Sequence, residues 1–101
     1  MQSTQLQTSA DGTVKVSGVL TFATVNQLWE QSQSFFALAQ NTINFDLANV
    51  IQSDSAGVAL LLAWARTAHA HNKQIQFKSL PEQMQAIARV SGLEGVIGLG
   101  K

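Results

Sequence analysis

The sequence predicts one α/β domain spanning residues 1–101, with a mixed β-sheet and the order β-β-α-β-α-β-α. Three observations carry this. Segments 14–20, 43–47 and 74–78 alternate apolar and polar residues with period two, and the stretches between the later ones repeat their apolar residues on a helical face. Strands that alternate with helices join in parallel through right-handed crossovers, whereas the two opening segments are close enough to form a hairpin. A chain of 101 residues holds one hydrophobic core and not two.

The elements follow in order. Asp11-Gly12 is a turn dipeptide between a weak strand, Thr4 to Thr8, and the well-patterned Val14 to Leu20. From Thr24 the period changes: Val25, Leu28, Phe35, Phe36 and Ala39 share a face, and Thr24-x-x-Gln27 has the form of a capping box, predicting a helix over about 24–40. Ile43 to Leu47 alternates as a short strand, followed by Val50 and Ile51; its place between two helices predicts a central, parallel strand. A helix from Ser55 to about His71 leads to the strand Gln74 to Lys78. Ser79-Leu80-Pro81-Glu82 offers a second capping box, and Met84, Ile87 and Ala88 stripe a last helix that Ser91-Gly92 ends. The tail from Leu93 to Lys101 holds three glycines and has no clear pattern.

Composition narrows the function classes. The chain is 46% hydrophobic and only 12% charged, a surface that a lasting protein partner would relieve. Six basic and six acidic side chains balance without forming runs, so the electrostatic footprint of nucleic-acid binding is missing. There is no cysteine, hence no disulfide, thiolate nucleophile or sulfur metal site. The start MQSTQLQTSADG reads as no signal peptide, and no run reaches the ~18 apolar residues of a membrane span. The expectation is a soluble cytosolic protein that meets a membrane only through a partner.

The stretch FDLANVIQSDSAGVALLLAW raises the sharpest question, because Asp54-Ser55-Ala56-Gly57 interrupts an oily segment. The helix that follows is apolar nearly all round, so the sheet should cover one side and another helix or a partner chain some of the rest. Asp54 suits an N-cap whose charge complements the helix macrodipole, and capping alone would explain it. A phosphoryl group on Ser55 would instead add negative charge where free N–H groups can receive it. Gly57 permits close approach of a backbone, whether a partner's or the sheet's. Trp29 falls on the border of its helix's apolar arc, which suits a half-buried residue or an interface anchor, and Trp64 fits burial against Leu60. His69 and His71, two apart on a helix, point in different directions and make a poor metal pair. The carboxylates Asp11, Glu30, Asp46, Asp54, Glu82 and Glu94 are scattered, and no triad, G-x-S-x-G or phosphate-cradling glycine loop occurs. Asp46 and Asp54 could approach each other at the carboxyl end of a strand, without a base or nucleophile beside them. No catalytic residue, cofactor or metal is expected.

The element order, with F-D-L-A-N-V-x-x-x-D-S-A-G-V-A-L-L-L, resembles the STAS domain family of sulfate transporters and anti-sigma factor antagonists. In the antagonists the hydroxyl immediately before the glycine of Asp-Ser-Ser/Thr-Gly receives phosphate from a partner kinase; here that position is Ala56, and Ser55 is the nearest hydroxyl. The variant D-S-A-G-x-A-L-L-L, with Ser17-Gly18-Val19-Leu20 and Leu28-Trp29-Glu30, is similar to the MlaB group, small cytosolic STAS subunits of Mla ABC systems that move phospholipid between inner and outer membranes. That resemblance implies a non-catalytic subunit that binds and supports the nucleotide-binding ATPase through Trp29, Asp54, Ser55, Ala56 and Gly57, peripheral to the inner membrane through its partner. The alternative it implies is an anti-sigma factor antagonist regulated by phosphorylation of Ser55.

Overall fold

Alternation in the second strand becomes burial in three dimensions: in β2, Val14–Leu20, the residues Val14, Val16, Gly18 and Leu20 face inward and Lys15, Ser17 and Val19 outward. The computed structural model describes residues 4–9, 12–37 and 41–92. Asp11, the last part of the expected first helix and the tail from Leu93 onward lie outside the described residues. The further elements are β1, Gln5–Thr8; α1, Val25–Ser32, continued by a 3₁₀ stretch Gln33–Ala37; β3, Thr42–Ser53; α2, Ser55–Ala70; β4, Gln74–Lys78; and α3, Glu82–Val90. The order matches the expectation. The strands lie side by side as β1-β2-β3-β4, with β1 antiparallel to β2 and the rest parallel.

β3 is longer than the expected 43–47, and its inward residues explain why. Ile43, Phe45 and Leu47 follow period two, but the next buried positions are Val50 and Ser53. The pairing with β2 steps from Lys15↔Asp46 to Ser17↔Asn49 and from Gly18↔Val50 to Val19↔Gln52, so β3 carries one extra residue at each step. Two bulges therefore convert a two-residue repeat into a three-residue one without turning the strand over. On the β2 side of the second irregularity Gly18 adopts φ 98°, a conformation that suits glycine.

Among the described residues, one face of the sheet is buried and the other is largely open. The inward rows of β2 and β3 join Leu28, Phe36, Val58, Leu61, Trp64, Met84 and Ala88 in one core, while Lys15, Gln74, Gln76 and Lys78 on the alternate face are exposed. α2 lies against β3 and β4 and touches both α1 and α3. The oily character of α2 is thus met largely within the domain: Val58, Leu60, Leu61, Trp64 and Ala68 are buried, and Ala59 is the small residue it leaves exposed in mid-helix. Trp64 stacks on Phe45 with centroids 4.3 Å apart, so its main neighbour is an aromatic ring of the sheet. Its indole N–H donates to Ser32 Oγ at 2.8 Å, and that hydroxyl donates to the Trp29 carbonyl at 2.7 Å.

Neither expected capping box forms. Thr24 makes no side-chain cap to α1; its hydroxyl donates to the Val19 carbonyl at 2.6 Å and accepts the Thr21 N–H at 3.0 Å, tying the helix entry to the end of β2. Ser79 sits at φ 59° before Pro81, which occupies the N-cap position of α3, so the serine is too far upstream to cap. The helix over 24–40 is also shorter than expected, because the chain tightens to a 3₁₀ helix at Gln33 and presents Phe36 to the core.

Candidate functional site

The Asp54-Ser55-Ala56-Gly57 segment forms a tip where two parallel strands finish level, with Leu20 opposite Ser53. Asp54 leaves the sheet in extended backbone, its N–H donating to the Leu20 carbonyl at 3.1 Å. Its carboxylate then makes two bonds: Oδ1 accepts the Ala56 N–H at 2.9 Å as an N-cap, and Oδ2 accepts the Phe22 N–H at 3.3 Å. The capping role read from the sequence is therefore present, joined by a link to the loop between β2 and α1. A carboxylate at this end of α2 also complements the positive end of its dipole.

Beneath the tip the packing is close. Ser53 is buried, its hydroxyl donating to the Asp54 carbonyl at 3.0 Å, and its N–H donates to Gln83 Oε1 at the start of α3 at 3.1 Å. Gly57 faces inward: a Cβ there would overlap Ser53 Oγ and come within 2.7 Å of the Leu20 carbonyl oxygen. Of the two readings of Gly57, approach to the sheet is the one the structure displays. This glycine lets α2 sit on the strand ends and is buried, so it supports the tip from below.

Above, the side chains are open. Asp54 and Ser55 are exposed and Ala56 is half-buried. Trp29 is half-buried on α1 and packs against the core, as its border position predicts; its carbonyl accepts from Ser32 Oγ and from Gln33 Nε2 at 3.1 Å. No hydrogen bond joins its side chain to the tip, so the two candidate contacts are separate features linked through α1 and its entry loop.

Phe22 is the residue that sequence reasoning missed. It is 84% exposed in the turn between β2 and α1, and Asp54 holds its backbone. The signal was available, since Phe22 belongs to neither the strand period before it nor the helix period after it. With Ile51, 58% exposed near the end of β3, it puts apolar surface on the segments that meet at the tip.

The remaining candidates stay apart. Asp46 lies on the outer face of β3, accepting the Ala48 N–H at 2.9 Å, roughly 20 Å along the strand from Asp54, so the paired-carboxylate arrangement is not formed. His71 Nδ1 lies 2.9 Å from the Thr67 carbonyl, an arrangement that uses the ring at the helix end. Among the described residues no three His, Cys, Asp or Glu side chains gather to hold a metal ion, and no helix is long and apolar enough to cross a membrane.

Comparison with known proteins bears on the family and the fold. The family model described as "Mlab, STAS domain" matches residues 3–99. Among solved structures, the anti-sigma factor antagonist SpoIIAA in its unphosphorylated form superposes with TM-score 0.71 at 23% identity, over 92% of this chain and 84% of that one. The Bacillus cell fate determinant SpoIIAA in the phosphorylated form gives 0.68 at 24% identity, over 92% and 86%. These likenesses show a shared fold. No curated protein matches the chain.

Proposed function

The chain belongs to the Mlab STAS-domain family, matched over residues 3–99, and from that premise we propose that it is a non-catalytic subunit of an Mla-type ABC transporter. In this reading it docks on the cytoplasmic nucleotide-binding ATPase and supports a machine that moves phospholipid between the inner and outer membranes, itself peripheral to the inner membrane. The observation that carries the reading is the construction of the tip. Asp54 and Ser55 are exposed on a backbone fixed by bonds to Leu20, Ala56 and Phe22, with apolar Phe22 on the bonded turn and half-buried Trp29 on α1, the helix that this turn enters. A preorganised polar tip with aromatic neighbours suits a protein interface, where aromatic anchors supply energy and polar groups fix register.

The likeness to SpoIIAA in phosphorylated and unphosphorylated forms supports a second reading, an antagonist of an anti-sigma factor switched at Ser55. Local chemistry favours the first. The antagonists' motif also begins with Asp, so what sets this chain apart is the position just before Gly57. Ala56 itself offers no acceptor oxygen.

Capture of the tagged protein from its native cell, with mass spectrometry of what co-purifies, tests the assignment. Recovery of an ABC ATPase with Mla transporter components is expected. Recovery of a serine kinase, with phosphate on Ser55, would replace this reading by the second.

A further inference from the structure

The far end of α2 holds a second feature, away from the tip. Arg66 and His69 on its last turns, Lys73 just beyond it, and Ala65 with Ile75 of β4 line one groove of about 420 Å³. Asn72, at φ 58°, reverses the chain so that the Lys73 N–H bonds the Ala68 carbonyl, which returns Lys73 to the wall of the helix it has just left. Among the described residues that line it, none is acidic. The carboxylate of Asp54 begins the same helix, about 18 Å from Arg66 along its axis. Glu82 begins α3, Glu30 lies on α1 and Asp46 on the outer face of β3.

Net charge zero therefore hides a local concentration. Two of the chain's six Lys and Arg residues and one of its two histidines converge on one groove. Cations at a helix C-terminus complement its dipole, which is about half a charge and acts within the last turn. Arg66 lies more than a turn from His71, where α2 ends, so the dipole does not account for the whole cluster. A guanidinium and an ammonium over a floor of Ala65 and Ile75 match a ligand with an anionic head and a short apolar body.

We propose that this groove is a binding site for a phosphate monoester, held by Arg66 and Lys73 with His69 as a further donor and its organic part on Ala65 and Ile75. The same chemistry is offered by a soluble organic phosphate and by the phosphate of a lipid headgroup.

The test is titration of the ¹⁵N-labelled full chain with inorganic phosphate and with n-butyl phosphate, beside co-sedimentation with phosphatidylcholine vesicles with and without phosphatidic acid. Saturable shifts confined to residues around 65–75, tighter for butyl phosphate than for phosphate, are expected. Arg66→Ala with Lys73→Ala should weaken binding by about tenfold or more, the loss expected for charge-assisted bonds, and Arg66→Lys should keep part of it. Co-sedimentation that depends on phosphatidic acid and on Arg66 and Lys73 identifies the lipid source; butyl phosphate binding without it identifies a soluble one. Absence of saturable shifts with both phosphates and of that co-sedimentation, shifts as large around Lys15 and Lys78, or unaltered binding by a folded double variant would overturn the proposal.

Discussion

The carboxylate of Asp54 accepts the backbone N–H of Phe22 across 32 residues of sequence, while its other oxygen caps α2. One side chain thus joins the end of β3, the start of α2 and the turn that carries the most exposed aromatic ring among the described residues. Asp54→Ala should cost about 1–2 kcal/mol through loss of the cap. Asp54→Asn, which keeps an oxygen for Ala56, should cost less. Urea unfolding measures both, and faster amide exchange at Phe22 in Asp54→Ala separates loss of the loop bond from loss of the cap alone.

Phe22 itself contributes little to the fold. Phe22→Ser should leave stability within about 0.5 kcal/mol, as expected for a surface position. If the turn contributes to the docking surface, the same substitution weakens partner binding. Thermal unfolding and a binding titration on one preparation give both answers.

Gly57→Ala tests the close approach under the tip. Its new methyl meets the Leu20 carbonyl oxygen, which cannot rotate away, so α2 must lift from the strand ends. A loss of about 1–3 kcal/mol is expected from such overpacking. The midpoint of chemical unfolding is the check, and an unchanged value would mean that the helix has room to move.

The buried pair Trp64 and Ser32 gives a prediction about the core. Ser32→Ala leaves the indole N–H without an acceptor, at about 1–3 kcal/mol. Adding Trp64→Phe removes that donor, so the double variant should lose less than the sum of the two single losses. A double-mutant cycle by urea unfolding measures the difference, and strict additivity would deny the bond an energetic role.

Much of the fold was legible because its signals are periodic. Val14 to Leu20 and Gln74 to Lys78 alternate cleanly, and both lie where the alternation put them. Periodicity failed where the backbone changes its repeat. Val50 and Ser53 face inward only because two bulges reset β3, and nothing local announces a bulge there. The cap motif at Thr24 failed because its hydroxyl is turned to the end of β2, accepting the Thr21 N–H while donating to the Val19 carbonyl. At the site, the N-cap role of Asp54 and the border position of Trp29 follow from residue type and helix phase. The inward role of Gly57 and the exposure of Phe22 depend on how strand ends and helix meet, which only coordinates display.

The central proposal is that the exposed tip at Asp54 and Ser55 docks on another protein chain, with half-buried Trp29 of α1 as a second contact. Its most direct test is the affinity of the purified domain for the ABC ATPase proposed as its partner, measured by calorimetry for the native chain, Trp29→Ala and Ser55→Arg, each shown to be folded by circular dichroism. The account predicts that Ser55→Arg abolishes measurable binding and that Trp29→Ala weakens it by about tenfold or more, as for an interface anchor. Native affinity in both folded variants would contradict it.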